Sequence, residues 1–167
     1  KYRAAFRQCG VIQVREVMDA VDIMKCLGAG RVARGRNVAV TAGSGGSVVN
    51  FADACDEFGL KLAPVGEATV EVLKANLPAI AQPQNPIDYT AGFVNEKNAP
   101  KYIAILKAVA ADPDIDQLAV FHLTGQGASF AGTARTVVTA VGDSTKPVIV
   151  YSAVPLELTV EGRQVLS

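Results

Sequence analysis

The residues best placed to do chemistry lie between Gly43 and Ser47, in the run Gly43-Ser44-Gly45-Gly46-Ser47. They follow a short β-branched and alanine run from Asn37 to Ala42 and precede a helical pattern in which Val48, Phe51, Ala52, Cys55 and Phe58 recur on one face. Glycines at such an exit take φ > 0 freely and let a ligand approach the backbone. The first amides of the helix lack intrahelical acceptors, and the macrodipole favours a negative charge there by about 0.3–1 kcal/mol. The chemistry indicated is anion binding, with a phosphate as the ligand. A plain turn serving strand-to-helix geometry is the alternative, because the run has neither a Walker lysine nor a strict G-x-G-x-x-G spacing.

Groups for covalent or proton chemistry are sparse. His122, the only histidine, closes an apolar run, Leu118-Ala119-Val120-Phe121-His122-Leu123, and reads as a strand-edge residue with no metal-binding partner at useful spacing. Ser44, Ser47 and Ser129 have no spacing that builds a triad with it. Asp53/Asp56 and Asp112/Asp114/Asp116 read as solvated helix and turn positions. Cys9, Cys26 and Cys55 are far apart, each on an apolar helical stripe, and are expected to be small buried hydrophobes. No catalytic residue is assigned and no metal site is expected.

The elements that must position the glycine run repeat a simple order. From Asn37 onward strands are expected at 37–42, 61–64, 85–88, 117–123 and 148–152, each followed by a helix. The clearest of these helices spans Asn98 to Ala111, with Tyr102, Ile105, Leu106 and Val109 inward. Helices of Glu67–Leu77 and of the stripe Phe130, Ala134, Val137, Val138, Val141 flank it. This alternation predicts an α/β domain, a doubly wound parallel sheet of about five strands with helices on both faces. Ligands of such sheets bind beyond the carboxyl ends of the strands. Three turns fall on that edge: Gly43–Ser47, Asp88–Gly92 and Thr124–Ser129. Asp88, Thr90, Thr124, Gly125 and Gly127 therefore form a possible secondary site. Before the sheet, residues 1–34 form a helical and linker segment with an extended stretch at Val11–Val14. Residues 35–167 form the α/β domain.

Composition excludes several classes. Sixteen basic and sixteen acidic residues cancel within 167, so no net positive field attracts nucleic acid or an anionic membrane. Tryptophan is absent, which argues against base-stacking platforms. No apolar run approaches the about 18 residues of a membrane span and no signal-peptide pattern opens the chain, so a cytoplasmic location is expected. The chain opens in mid-pattern at Lys1, as a fragment of a longer protein would.

Several phrases together carry a family resemblance: Tyr2-Arg3-Ala4-Ala5-Phe6-Arg7-Gln8-Cys9-Gly10-Val11, Gly35-Arg36-Asn37-Val38-Ala39-Val40 with its glycine turn, Ala52-Asp53-Ala54, Asn85-Pro86-Ile87-Asp88, and Glu161-Gly162-Arg163. In order and spacing they resemble the NDP-forming acyl-CoA synthetases related to succinyl-CoA synthetase. The resemblance covers essentially the whole chain. It implies a flavodoxin-like domain equivalent to the carboxy-terminal domain of the succinyl-CoA synthetase β subunit. In that family a histidine of a Ser-His-Thr-Gly loop carries a phosphoryl group, and helix N-termini from two such domains stabilise it. The resemblance implies that Gly45, Gly46 and Ser47 offer amides to that phosphate. The phosphohistidine would come from outside this chain, since His122 does not match it. It also implies ATP/ADP, CoA and Mg as cofactors of the parent, and its CoA-binding, phosphohistidine and ATP-grasp domains as partners. The isolated fragment would be inactive as a ligase, and the faces a cut domain exposes allow a homo-oligomer. The alternative function is a non-catalytic module of a multidomain acyltransferase or regulatory protein that binds a phosphate-bearing ligand or docks a partner.

Overall fold

The computed structural model describes residues 2–121, 125 and 127–166. The chain divides into two compact units, Lys1–Val32 and Ala33–Ser167.

The first unit holds α1 (Tyr2–Gln8) and α2 (Val17–Gly28). Helix α1 ends where Val11 N donates to Phe6 O at 2.8 Å. Helix α2 opens on a capping box formed by Glu16 and Asp19. No residue of either helix is buried. Cys9 and Cys26 are therefore exposed, which corrects the expectation that all three cysteines are core hydrophobes; only Cys55 is buried. An apolar stripe marks a helix that can be covered, and within the first unit nothing among the described residues buries these two. Residues 11–14, expected to be extended, belong to no helix or strand.

The second unit is a parallel sheet. β1 (Asn37–Ala42) lies between β2 (Lys61–Leu62) and β4 (Gln117–Phe121), and β5 (Val148–Tyr151) pairs with β4. The two-residue β3 (Ile87–Asp88) pairs with the carboxyl half of β1, opposite Thr41 and Ala42. β2 pairs with its amino half, opposite Asn37 and Val38. Two short strands thus share one edge of β1, and the Asn85 side chain fills the gap between them. Its Nδ2 donates to Val38 O at 2.7 Å and Ala63 O at 2.8 Å, and its Oδ1 accepts from Val40 N at 2.9 Å. One amide side chain thereby replaces a missing rung of backbone ladder, which would otherwise leave buried polar groups unpaired. The Asn85–Pro86 bond is cis.

Alternation along β1 and β4 sorts the core onto two faces. Ala39, Leu118 and Val120 pack with Leu73 of α4 (Glu67–Asn76), with Tyr102, Ile105, Leu106 and Val109 of α5 (Ala99–Ala111), and with Val137 and Val141 of α6 (Ala128–Val141). Val38, Val40 and Ala119 pack on the other face with Phe51 of α3 (Gly45–Glu57), and with Leu60, Leu62 and Tyr151. The predicted inward residues of α5 are all buried. Phe58 and Val138, expected inward, are exposed at 72% and 40%, because each falls at the margin of its helix stripe. The last helix, α7 (Val160–Leu166), packs on α6. Its Gly162 sits against the Phe130 ring, which leaves no space for a side chain there.

At the opposite edge of the sheet, Asp112 is not the solvated turn residue expected from the acidic run. It is 2% exposed. Its carboxylate accepts from Gly66 N at 2.8 Å and from Asp114 N at 3.0 Å, and Lys146 Nζ donates to its backbone carbonyl. Asp116 Oδ2 accepts from Asn37 N at 2.9 Å, so Asp116 fastens the start of β1 and Asp112 the start of α4. Burial pulls the Lys146 ammonium below its ordinary value, against the opposing pull of Asp112 and Asp116.

Candidate anion site at the carboxyl edge of the sheet

Helix α3 begins at Gly45, directly after an N-cap at Ser44 with extended backbone, φ −154° and ψ 123°. Gly45, Gly46 and Ser47 are therefore its first turn and not a loop before it. None of Gly43, Gly45 and Gly46 takes positive φ, contrary to the expected left-handed turn. A helix that starts at once after an extended cap needs no left-handed residue. The glycines give clearance instead: a methyl group on Gly43 would lie 3.1 Å from the Tyr89 ring and 3.4 Å from Thr90 O, and one on Gly45 would lie 3.3 Å from Asp88 Oδ2. The Asp88–Thr90 segment thus crosses directly over the exit of β1.

Donors and charges at this end are clearly distributed. Ser47 N and Val48 N both turn back to Ser44 O, at 3.1 and 3.2 Å. The Gly45 and Gly46 amides have no acceptor among the described residues, and both residues are exposed. Gly46 is open: a methyl group placed on it would have Ser44 Oγ, at 3.8 Å, as its nearest neighbour. Ser44 makes no side-chain cap, which leaves its hydroxyl available to a ligand. Asp88 brings a carboxylate to the Gly45 side of the helix terminus. Its Oδ1 accepts from Thr90 N at 2.8 Å and holds Thr90 at φ 68°, a conformation that is rare for a β-branched residue. A dianion must therefore approach from the open Gly46 side, away from Asp88.

The second glycine-led terminus, that of α6, is built differently. Gly125 takes φ 99°, and a methyl group on it would lie 2.8 Å from Ser129 Oγ and 3.1 Å from Phe130 N. Gly127, the N-cap, takes φ 52° and ψ −125°, and its amide donates to Leu158 O at 3.0 Å. A cavity of about 540 Å³ lies between the start of α5 and this terminus, lined by Asn95, Ala99, Tyr102, Ala128, Ser129 and Thr133 among others. Thr124 and His122 lie outside the described residues.

Between the two termini stands a tyrosine pair that sequence reasoning did not single out. Tyr89 Oη donates to Phe121 O at 3.2 Å, and its ring packs edge-on to Tyr102 with centroids 5.3 Å apart. Burial pushes both phenols up, Tyr89 well above its ordinary value and Tyr102 to about 12. The two ionisations influence each other, yet Tyr102 Oη has no hydrogen-bond partner among the described residues. The sequence signal was the aromatic after Asp88, which falls within the Asp88–Gly92 turn, and the aromatic on the α5 stripe, read only as core. Among the described residues no three His, Cys, Asp or Glu side chains are grouped to hold a metal ion, and no helix is long and apolar enough to cross a membrane.

An α/β domain with glycine-led helix termini at the carboxyl edge of a parallel sheet is the class that fold and site define. No protein-family model matches the chain. It is 37% identical over 115 residues to "Acetate--CoA ligase [ADP-forming] I" of Archaeoglobus fulgidus, a match covering 69% of this chain and 16% of that protein. It is 33% identical over 117 residues to "Acetate--CoA ligase [ADP-forming] II subunit alpha" of Pyrococcus furiosus, covering 70% of this chain and 24% of the relative. Among solved structures, PH0766 from Pyrococcus horikoshii OT3 superposes with a TM-score of 0.86 at 28% identity, over 99% of this chain and 38% of that one. The Ca. Korarchaeum cryptofilum dinucleotide forming acetyl-coenzyme A synthetase 1, solved with phosphate and ADP, superposes with a TM-score of 0.83 at 28% identity, over 99% of this chain and 35% of that one. The chain belongs to the NDP-forming acyl-CoA synthetase family, of whose members it spans one domain-sized segment.

Proposed function

We propose that this domain serves an acid–CoA ligase of the NDP-forming type by steadying a phosphohistidine that another part of the parent protein supplies. The observation that carries the reading is the pair of acceptor-free, exposed amides at Gly45 and Gly46, at the ligand edge of a segment homologous to ADP-forming acetate–CoA ligases. Gly43 gives the clearance that sets this terminus, and the Ser44 hydroxyl and the Gly45 and Gly46 amides meet the phosphate. Ser47 closes the first helical turn. Asp88, Thr90, Gly125 and Gly127 form the neighbouring secondary site, where the α6 terminus and its cavity adjoin the same edge; Thr124, grouped with them in the sequence, lies outside the described residues. The role is electrostatic: fixed dipoles aimed at the phosphoryl charge stabilise it without reorganisation.

In this reading ATP/ADP, CoA and Mg belong to the parent's reaction and are bound by its other domains. The CoA-binding, phosphohistidine and ATP-grasp domains are accordingly its partners, and the setting is cytoplasmic. In this reading the 167-residue chain alone turns over no acid, CoA and ATP. The test is phosphoryl labelling of the parent-length protein with labelled ATP, comparing wild type with Gly46→Val. Acid-labile, base-stable label that falls in the variant supports the assignment. Equal label in both removes the α3 terminus from the mechanism. No label in either folded protein favours a non-catalytic phosphate-binding or docking module.

A further inference from the structure

A cavity of about 350 Å³ in the first unit is lined by Arg3, Arg7, Gln13, Val14 and Arg15. Arg3 and Arg7 stand four residues apart on α1 and so share one face of the helix, where like charges repel. Arg15 is brought to them by the chain's return after the turn at Gly10. No carboxylate lines the cavity, and none of the three guanidinium groups forms an ion pair among the described residues. The nearby acids are engaged elsewhere: Asp19 Oδ2 accepts from Arg15 N and Glu16 N, both at 3.3 Å, and Glu16 completes the capping box of α2. Residues 1–32 carry six basic and three acidic side chains in a chain whose total charge is zero, so this unit is the positive part of the molecule.

We propose that Arg3, Arg7 and Arg15 of the first unit form a binding site for a small phosphate-bearing ligand of the diphosphate type. Three guanidinium forks present donors in the planar geometry that matches phosphate oxygens bidentately. The cavity is at the low end of the about 300–1,000 Å³ typical of small-molecule sites, which suits a diphosphate group and not an extended polymer. No aromatic ring lines it, so nucleobases gain no stacking surface and the phosphates carry the recognition. Gln13 adds an amide for hydrogen bonding at the rim.

Calorimetric titration of the 167-residue chain with pyrophosphate tests the site, with inorganic phosphate, ADP and CoA as further arms that separate a bare diphosphate from one carried by a nucleotide. The expected result is a saturable pyrophosphate isotherm with a component that weakens at least tenfold in Arg7→Gln and is lost in Arg3→Gln/Arg7→Gln/Arg15→Gln, leaving only the heat of the α3 terminus. That component persists in Arg163→Gln, which removes an arginine elsewhere. Arg7→Lys, with charge kept and the fork lost, should fall between wild type and Arg7→Gln. Circular dichroism and the melting temperature establish that each variant is folded. Absence of saturable heat with all four ligands overturns the proposal. So does equal loss in Arg163→Gln, and so does loss in Gly46→Val with retention in the triple arginine variant. Binding of a single-stranded oligonucleotide in the absence of pyrophosphate binding would also overturn it.

Discussion

The two glycine-led helix termini at one edge of the sheet use glycine for different reasons. At α3 the glycines have ordinary negative φ and provide clearance and exposure: Gly43 lets the Tyr89–Thr90 segment cross, and Gly46 faces open space. At α6 the glycines are conformational, with φ of 99° at Gly125 and 52° at Gly127, and the Gly127 amide is tied to Leu158 O. A terminus that needs glycine for its shape is rigidly specified, whereas one that needs it for access is available to a ligand. In the proposed reading this difference favours α3 as the primary cradle, with α6 a packed neighbour whose cavity opens beside it.

The largest expected effect comes from the tyrosine pair that links the regions. Below about pH 9 the phenols are neutral in both folded and unfolded chains. Above it the unfolded chain loses its tyrosine protons while Tyr102 keeps its own to about 12, so unfolding gains protonic driving force. By pH 12 this should cost about 2–3 kcal/mol of stability from Tyr102. Urea melts from pH 9 to 12 should show the fall, and Tyr102→Phe should reduce it, the remainder coming from the buried Tyr89 phenol. At pH 7 the same variant, which removes a buried hydroxyl without a partner, should be stabilised by about 1 kcal/mol. Tyr89→Phe, which loses the bond to Phe121 O, should be destabilised by about 1 kcal/mol. Equal effects of the two variants would break the distinction drawn between their hydroxyls.

Next in size is Gly125→Ala. Left-handed backbone and a methyl group 2.8 Å from Ser129 Oγ together should cost about 1–3 kcal/mol in a chemical denaturation curve. By contrast Gly46→Ala enters open space in a helix and should leave stability unchanged or raise it by about 0.5 kcal/mol. A cost at Gly46 as large as that at Gly125 would erase the contrast between access and shape. Asp88→Asn keeps an oxygen for Thr90 N and removes the charge beside Gly45. Phosphate affinity at the α3 terminus should rise by about 2–5-fold, corresponding to about 0.3–1 kcal/mol, as read by titration at low ionic strength.

Much of this architecture is legible in the sequence because it follows from periodicity. Tyr102, Ile105, Leu106 and Val109 repeat at helical spacing and are all buried, and the glycines flanking Asn37–Ala42 bound that strand correctly. Asp88 is expected at a strand end and is found there. Other features depend on tertiary partners that spacing does not encode. The acidic run at Asp112 looks solvated because nothing local reveals that Gly66 N reaches its carboxylate from 46 residues away. Cys9 and Cys26 lie on apolar stripes that stay uncovered in the first unit. The glycine run announces a turn, yet whether glycine serves dihedral freedom or clearance depends on the Asp88–Thr90 crossing. Asn85 can be seen as half of an Asn-Pro turn signal, but its bridging of β1 and β2 requires both strands in place.

The central claim is that the α3 terminus receives a phosphate. Backbone amide chemical shifts of the 15N-labelled chain, titrated with inorganic phosphate at pH 8, test it most directly. The account predicts saturable movement of the Gly45 and Gly46 amides, larger than any movement at Ala128 and Ser129, and a tighter midpoint in Asp88→Asn. Amides at Gly45 and Gly46 that stay fixed through saturation of the rest of the spectrum, or that move less than those of α6, would contradict it.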